Sequence, residues 1–266
     1  MKIKSAIVFF FAVLSLQAKT ILLYNDYSID ISSVDALVTT LKKNHEVIRA
    51  ADITEFENAF GKQAIDVAIL ALQDKPRTAS EFPAFVNYVT SGGKAIFIDG
   101  NRNVSWTKLF GFSYTGRKND RTVTLLDNTL AESFGSTRQT LYNPGYNTFS
   151  MGLEATGKVL AQFDNADAAI LFLDGHIMVN GFLLDTDKPY DSAPKRLGVS
   201  RASARGSTAS LIEAQIGYLF SPPQDRPQIA AGGTQSVTVP LSRNTLALIL
   251  LLFALSSVWG ISRRSA

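Results

Sequence analysis

Four short segments constrain the fold of this chain more than any other feature. Thr20-Ile21-Leu22-Leu23-Tyr24, Asp66-Val67-Ala68-Ile69-Leu70-Ala71-Leu72 and Lys94-Ala95-Ile96-Phe97-Ile98 are apolar runs of buried-strand type, and Glu46-Val47-Ile48-Arg49 reads as a further strand. Between them lie amphipathic helices. Ser32 to Lys43 has apolar residues at 34, 37, 38 and 41, with Ser32 or Ser33 as cap, and Ile53 to Phe60 forms a short helix. Ser80 to Val89 forms another, with Pro83 in its first turn and Gly92-Gly93 ending it. This alternation predicts an α/β fold with a doubly wound, mostly parallel sheet. The second half is less regular. Val123 to Leu126, Val159 to Phe163, Ala169 to Leu173 and Ile177 to Asn180 read as strands, the last two joined as an antiparallel hairpin through Asp174-Gly175, and Ser207 to Phe220 reads as a closing helix.

The two ends follow a different logic. Met1 to Ala18 has Lys2 and Lys4, an apolar stretch from Ala6 to Leu14, and Ala18 before the polar Lys19-Thr20, the layout of a secretory signal peptide or of an uncleaved anchor. Thr245 to Ile261 is seventeen residues without a charge, long enough for a thin bilayer core, with Trp259 at interfacial height and Arg263-Arg264 beyond it. The expectation is a single-span protein of the inner membrane with its body outside the cytoplasm. Residues 19–222 form the domain, 223–244 a Pro- and Gly-containing linker, 245–261 the transmembrane helix and 262–266 a basic cytoplasmic tail.

This partition changes the meaning of the charge. The whole chain carries 26 Lys and Arg against 23 Asp and Glu, yet residues 19–222 hold 20 basic and 22 acidic residues. The basic excess marks topology at the ends, and a nucleic-acid partner, which requires a concentrated basic surface, is not expected.

Two resemblances follow from these residues. Val239-Pro240-Leu241-Ser242, the apolar helix and Arg263-Arg264 resemble the bacterial sorting signals of the PEP-CTERM type, in particular the IPTL-CTERM variant; the motif here keeps proline, leucine and serine and lacks the threonine. That resemblance implies an exosortase-like processing enzyme as a partner, and release or transfer to the cell surface as one fate. In the body, the helix ending Tyr88-Val89-Thr90-Ser91-Gly92-Gly93-Lys94 runs straight into the strand Ala95 to Ile98. Together with Leu109-Phe110-Gly111-Phe112 and the hairpin from Leu173 to Phe182, it resembles the class I glutamine amidotransferase-like superfamily, which implies a flavodoxin-like architecture.

Catalytic members of that superfamily carry a cysteine on the sharp turn after a central strand. This chain has none, and the corresponding turn reads Asp99-Gly100-Asn101-Arg102, so thiolate chemistry is excluded. A serine hydrolase elbow is also missing, since Gly111-Phe112-Ser113-Tyr114-Thr115-Gly116 has the wrong spacing. His45 reads as a solvated or capping residue at a helix end, and His176 stands beside Asp174 in the hairpin turn. Asp185, Asp187 and Asp191 share one loop and are weak candidates for a hard cation, against a plain solvated turn. No cofactor is expected.

In doubly wound sheets ligands lie beyond the carboxyl ends of the strands, where this sequence places Asn25, Asp26, Asp74, Asp99, Asn101 and Arg102. They can line one polar cleft, or serve as turn and helix-cap residues. Trp106, Tyr114, Tyr142 and Tyr146 offer rings for stacking on a sugar or for a core. The expected function is a non-catalytic, envelope-anchored binding or structural domain with a cell-surface glycan or protein as ligand. The alternative is an envelope hydrolase or carbohydrate-active protein using the strand-end carboxylates.

Overall fold

The computed structural model describes residues 18–26, 31–118, 120, 122–141, 148–152, 157–184 and 208–220. The signal-like start, the linker, the sorting motif, the apolar C-terminal segment, the Asp185–Asp191 loop, Tyr142 and Tyr146 lie outside the described residues, apart from Ala18. Among the described residues no helix is long and apolar enough to cross a membrane.

In the first half the elements alternate. They are β1 (Thr20–Asn25), α1 (Ile31–Leu41), β2 (Glu46–Ala50), α2 (Ile53–Lys62), β3 (Val67–Leu72), α3 (Pro83–Thr90), β4 (Lys94–Asp99) and α4 (Val104–Phe110). The second half contains β5 (Ser113–Lys118), β6 (Thr122–Leu125), α5 (Asn128–Phe134), β7 (Arg138–Thr140), β8 (Thr148–Gly152), β9 (Lys158–Phe163), β10 (Ala168–Leu173), β11 (Ile177–Asn180) and α6 (Thr208–Phe220). The helix expected from Ser80 begins instead at Pro83, after a 3₁₀ turn over Ala79–Glu81. Phe82, at φ −127° and ψ 56°, is off the helical region, as a residue before proline tends to be.

The strands make one mixed sheet of order β2-β1-β3-β4-β11-β10-β9-β6-β7, with β8 pairing β10 and β5 off this path. The pairs β2–β1, β1–β3, β3–β4 and β4–β11 are parallel. With β11 as the fifth parallel strand, this is the 2-1-3-4-5 order of flavodoxin-like sheets. The expected hairpin is present: β11 pairs antiparallel with β10 on one side and parallel with β4 on the other. Antiparallel structure extends well beyond that hairpin, through β9, β6, β7, β5 and β8.

The alternation of strand side chains divides the core in two. Ile21, Leu23, Ile69, Ala71, Ile96 and Ile98 meet α1, α5 and α6 on one face. Leu22, Tyr24, Leu70, Leu72 and Phe97 meet α2, α3 and α4 on the other. The second face is aromatic: the fully buried Trp106 has its ring centroid 4.8 Å from that of Phe97 and 5.8 Å from that of Phe82. Its indole N–H donates to the carbonyl of Arg77 at 2.9 Å, so the ring expected for a core or a sugar is in the core with its polar edge satisfied.

α6 closes the first face by polar pins at several heights. Gln215 and Asn180, both fully buried, exchange two amide hydrogen bonds of 3.0 and 3.1 Å. The Glu213 carboxylate accepts from Asn44 at 3.0 Å and lies 3.1 Å from His45 Nε2, whose Nδ1 accepts from the Lys19 backbone N–H. His45 is therefore a buried bracket and not the solvated helix-end residue that its neighbours in sequence indicate. The Tyr218 hydroxyl reaches the Asp127 carboxylate at 3.2 Å, which also accepts from Lys158 Nζ at 2.6 Å and caps α5 through the N–H groups of Thr129 and Leu130.

Although burial pushes the Asp127 carboxyl up, the Lys158, Leu130 and Tyr218 donors outweigh it and hold the group below the usual range. A carboxyl depressed on folding stabilises the native state above its unfolded pKa of about 4 and loses that contribution as pH falls through the folded value. Replacing the cap in Asp127→Ala should cost about 1–2 kcal/mol at pH 7. The gap between wild type and variant, read from denaturant midpoints, should narrow as the pH drops below about 4.

Candidate functional site

β1, β3 and β4 run parallel and end side by side, so the loops after them gather at one edge of the sheet. The structure places all six residues expected there. Asn25 ends β1, Asp26 follows it, Asp74 follows β3, Asp99 ends β4, and Asn101 and Arg102 form the turn into α4. Their chemistry differs from that of an open cleft.

Asp26 bridges the ends of β1 and β3. One oxygen accepts from the backbone N–H of Gln73 at 2.5 Å and of Asp74 at 3.1 Å, and the other accepts from Lys75 at 3.2 Å. Three consecutive amides converging on one carboxylate fix the loop after β3 to the end of β1, at the point where strand order reverses. A hydrogen bond to a charged group contributes roughly 1.5–3 kcal/mol, so this clamp is a structural element of consequence. Tyr24, two residues earlier, is held above its usual pKa by burial and by the Asp26 charge, with Arg77 acting in the opposite direction.

Asp99 performs the same service for its own turn. Only 1% exposed, it accepts from the N–H of Asn101 at 2.9 Å and of Asn103 at 2.6 Å. Burial pushes its carboxyl above the usual range, while the backbone donors pull it back. Asn101 donates its side-chain amide to the carbonyl of Gln73 at 2.9 Å, tying the β3 and β4 loops together. Asn103 caps α4 through the N–H of Ser105. Gly100 sits in a tight place: a Cβ there would lie 3.1 Å from Leu183 Cδ2 and 3.3 Å from the carbonyl of Leu72, so a larger residue would require these neighbours to give by a few tenths of an ångström.

Arg102 occupies the centre of the strand-to-helix turn with φ 57°, a left-handed conformation that costs a non-glycine residue about 1 kcal/mol or more. Tyr114, from β5, stands next to this turn. Burial drives its hydroxyl well above the usual tyrosine range, the Asp99 charge adds to this, and Arg102 opposes it. The turn thus carries a guanidinium, with a buried phenol beside it. It offers no nucleophile and no carboxylate unoccupied by backbone.

Gln73, Asn103 and the environment of Tyr114 were not legible as parts of one site. A signal for Gln73 does exist, since it is the first polar residue after the run Val67 to Leu72, at a strand's carboxyl end. Elsewhere, His176 spans two carbonyls, Nδ1 lying 2.8 Å from that of Asp174 and Nε2 2.9 Å from that of Val89. The ring therefore fastens the hairpin to α3 through main-chain oxygens rather than through the Asp174 carboxylate. Among the described residues no group of three or more His, Asp or Glu side chains could hold a metal ion.

No family model and no curated protein matches the chain. Solved structures similar to it include a glutamine amido transferase from Methylobacillus flagellatus, 11% identical with a TM-score of 0.43, covering 83% of this chain and 99% of its own. A second is a glutamine amidotransferase from Thermotoga maritima, 11% identical with a TM-score of 0.39, covering 62% of this chain and 75% of its own. The carbohydrate deacetylase Agd3 is 15% identical with a TM-score of 0.42; the match spans 63% of this chain and 29% of that longer one. At this level of likeness none of the three assigns an activity to the chain.

Proposed function

We propose that this protein is an exported, non-catalytic α/β domain held in a bacterial cell envelope, where it binds a glycan or protein ligand at its strand ends. One observation carries the non-catalytic part: Asp26 and Asp99, two of the three strand-end carboxylates that would do acid–base work, are committed to backbone N–H groups. The turn that would present a nucleophile presents Arg102 instead, and the chain has no cysteine. These same commitments weigh against the carbohydrate-active reading that relies on those carboxylates.

Export and anchoring are supported by the sequence of the two ends, with Lys2 and Lys4 ahead of an apolar stretch at one and Arg263-Arg264 behind another. The sorting-like Val239-Pro240-Leu241-Ser242 supports an exosortase-like partner that would process the protein and move it to the surface.

Two measurements test this reading. Fractionated native cells should yield the protein in the membrane pellet, resistant to alkaline extraction and released by detergent, and truncation before Thr245 should make it extractable without detergent. A full-length protein already soluble at alkaline pH would overturn the anchor, unless mass spectrometry finds the mature C-terminus shortened before Arg263-Arg264. For the domain, Asp26→Ala should lower stability by about 2–3 kcal/mol and Asp99→Asn by about 1 kcal/mol, read from urea midpoints. Variants that melt as wild type does while losing ligand response would return these carboxylates to the ligand.

A further inference from the structure

The edge of the sheet opposite the strand-end loops carries a groove. α2 and α3 pack together on one face and both finish at this edge, after which the chain enters β3 and β4 at their amino ends. Between the two helix ends lies an open cavity of about 640 Å³, within the size range of small-molecule sites, and none of the side chains that line it is charged. Lys94, next to the lining residue Gly93, is engaged elsewhere: its Nζ lies 4.8 Å from the centre of the Phe220 ring, which Lys19 Nζ meets at 4.3 Å.

Two rings make the apolar part of the groove. The Tyr88 hydroxyl is shared among the main-chain carbonyls of Asp66, Lys94 and Ile65, at 3.1, 3.2 and 3.3 Å, and burial pushes its pKa up to about 12, so it stays a donor to main chain. Gly93 backs the ring so closely that a Cβ there would lie 2.5 Å from it. Phe60 stands beside it, with centroids 5.0 Å apart and planes tilted by 38°. Both rings are half-buried and line the groove, so they form a platform fixed from behind.

The polar part is rich in acceptors. α2 ends at an extended Gln63 whose N–H returns to the Ala59 carbonyl, so the carbonyls after Ala59 have no partner within the helix. Gln63, Asn87 and Ser91 add exposed amide and hydroxyl groups. The negative poles of two helix ends disfavour an anion, and no lining carboxylate is there to hold a cation. A proline-rich peptide, a common guest of aromatic grooves, brings carbonyls and few N–H groups, and the Tyr88 hydroxyl that would serve it is spent on main chain. A sugar brings the reverse, several O–H donors for the carbonyls and C–H groups for the rings.

We propose that this groove binds a neutral pyranose of a glycan, with its C–H face on the Tyr88 and Phe60 rings and its hydroxyls on the α2 carbonyls, Gln63 and Asn87. The site lies at the opposite edge from Asp26, Asp99 and Arg102 and is independent of the strand-end reading.

The test is saturation-transfer NMR together with the melting temperature of the full-length protein, in a polyoxyethylene detergent that has no sugar head group. The probes are cellobiose, diacetylchitobiose, choline and a hexaproline peptide. At least one of the two sugars should receive saturation at its C–H protons and raise Tm saturably, by roughly 5–10 °C at a hundredfold excess over Kd. Replacing the exposed side chains together, in Gln63→Ala with Asn87→Ala, should leave the unliganded Tm unchanged and weaken Kd roughly tenfold. Phe60→Leu, which removes a ring and keeps apolar volume, should weaken Kd by a similar factor. Sugar binding that both variants leave intact overturns the site; if Arg102→Ala then abolishes it, the sugar sits at the strand ends and the earlier reading stands. Choline or hexaproline acting more strongly than either sugar overturns the pyranose. No response to either sugar overturns this inference and leaves the strand-end reading to its own test.

Discussion

The loops at the edge of the sheet depend on a carboxylate placed where the strand order reverses. In a 2-1-3-4-5 sheet, the loops leaving β1 and β3 depart to opposite faces and open a crevice between the two strand ends. Here the Asp26 side chain crosses that crevice and gathers the N–H groups of residues 73, 74 and 75. Asp99 repeats the device one strand further on, and the Asn101 amide joins the two loops. A set of polar residues that would suit a reaction centre is thus turned inward on main chain, and backbone amides rather than substrate neutralise it.

α6, the last helix among the described residues, unites the two halves of the domain. α6 lies against α1, which belongs to the parallel half, and against α5, which belongs to the antiparallel half. Three polar side chains on its packed side meet different partners: Glu213 meets Asn44 and His45, Gln215 meets Asn180, and Tyr218 meets Asp127 and Lys158. Apolar residues around them, Leu211, Ile212, Ile216 and Leu219, supply the burial, while the polar partners fix its register. A helix held only by leucine and isoleucine would find neighbouring positions nearly as good.

What could be read in advance, and what could not, follows from how far each signal lies from its cause. β3 was legible because all six of its residues are apolar and buried, so its own composition dictates its place. β5 was not: Ser-Tyr-Thr-Gly-Arg-Lys has no apolar run, and it is a strand because β8 pairs with it some thirty residues later. The candidate residues Asp26, Asp99 and Asn101 could be placed at the strand ends from sequence, but their occupation could not, since the amides that Asp26 accepts from lie 47 to 49 residues away. His45 shows the same limit, because its partner Glu213 is 168 residues distant.

The packing of Lys19 against Phe220 has a consequence for architecture. β1 and α6 bring the two ends of the described domain together at one edge, roughly a strand length from the ends of β1, β3 and β4. A domain whose ends meet is an insertable module: chain can be added at either side, or the ends joined and new ones opened elsewhere, without threading through the core. Tension between the ends falls on the Lys19–Phe220 contact and the neighbouring strand start, and the far edge with its clamped loops is shielded from it.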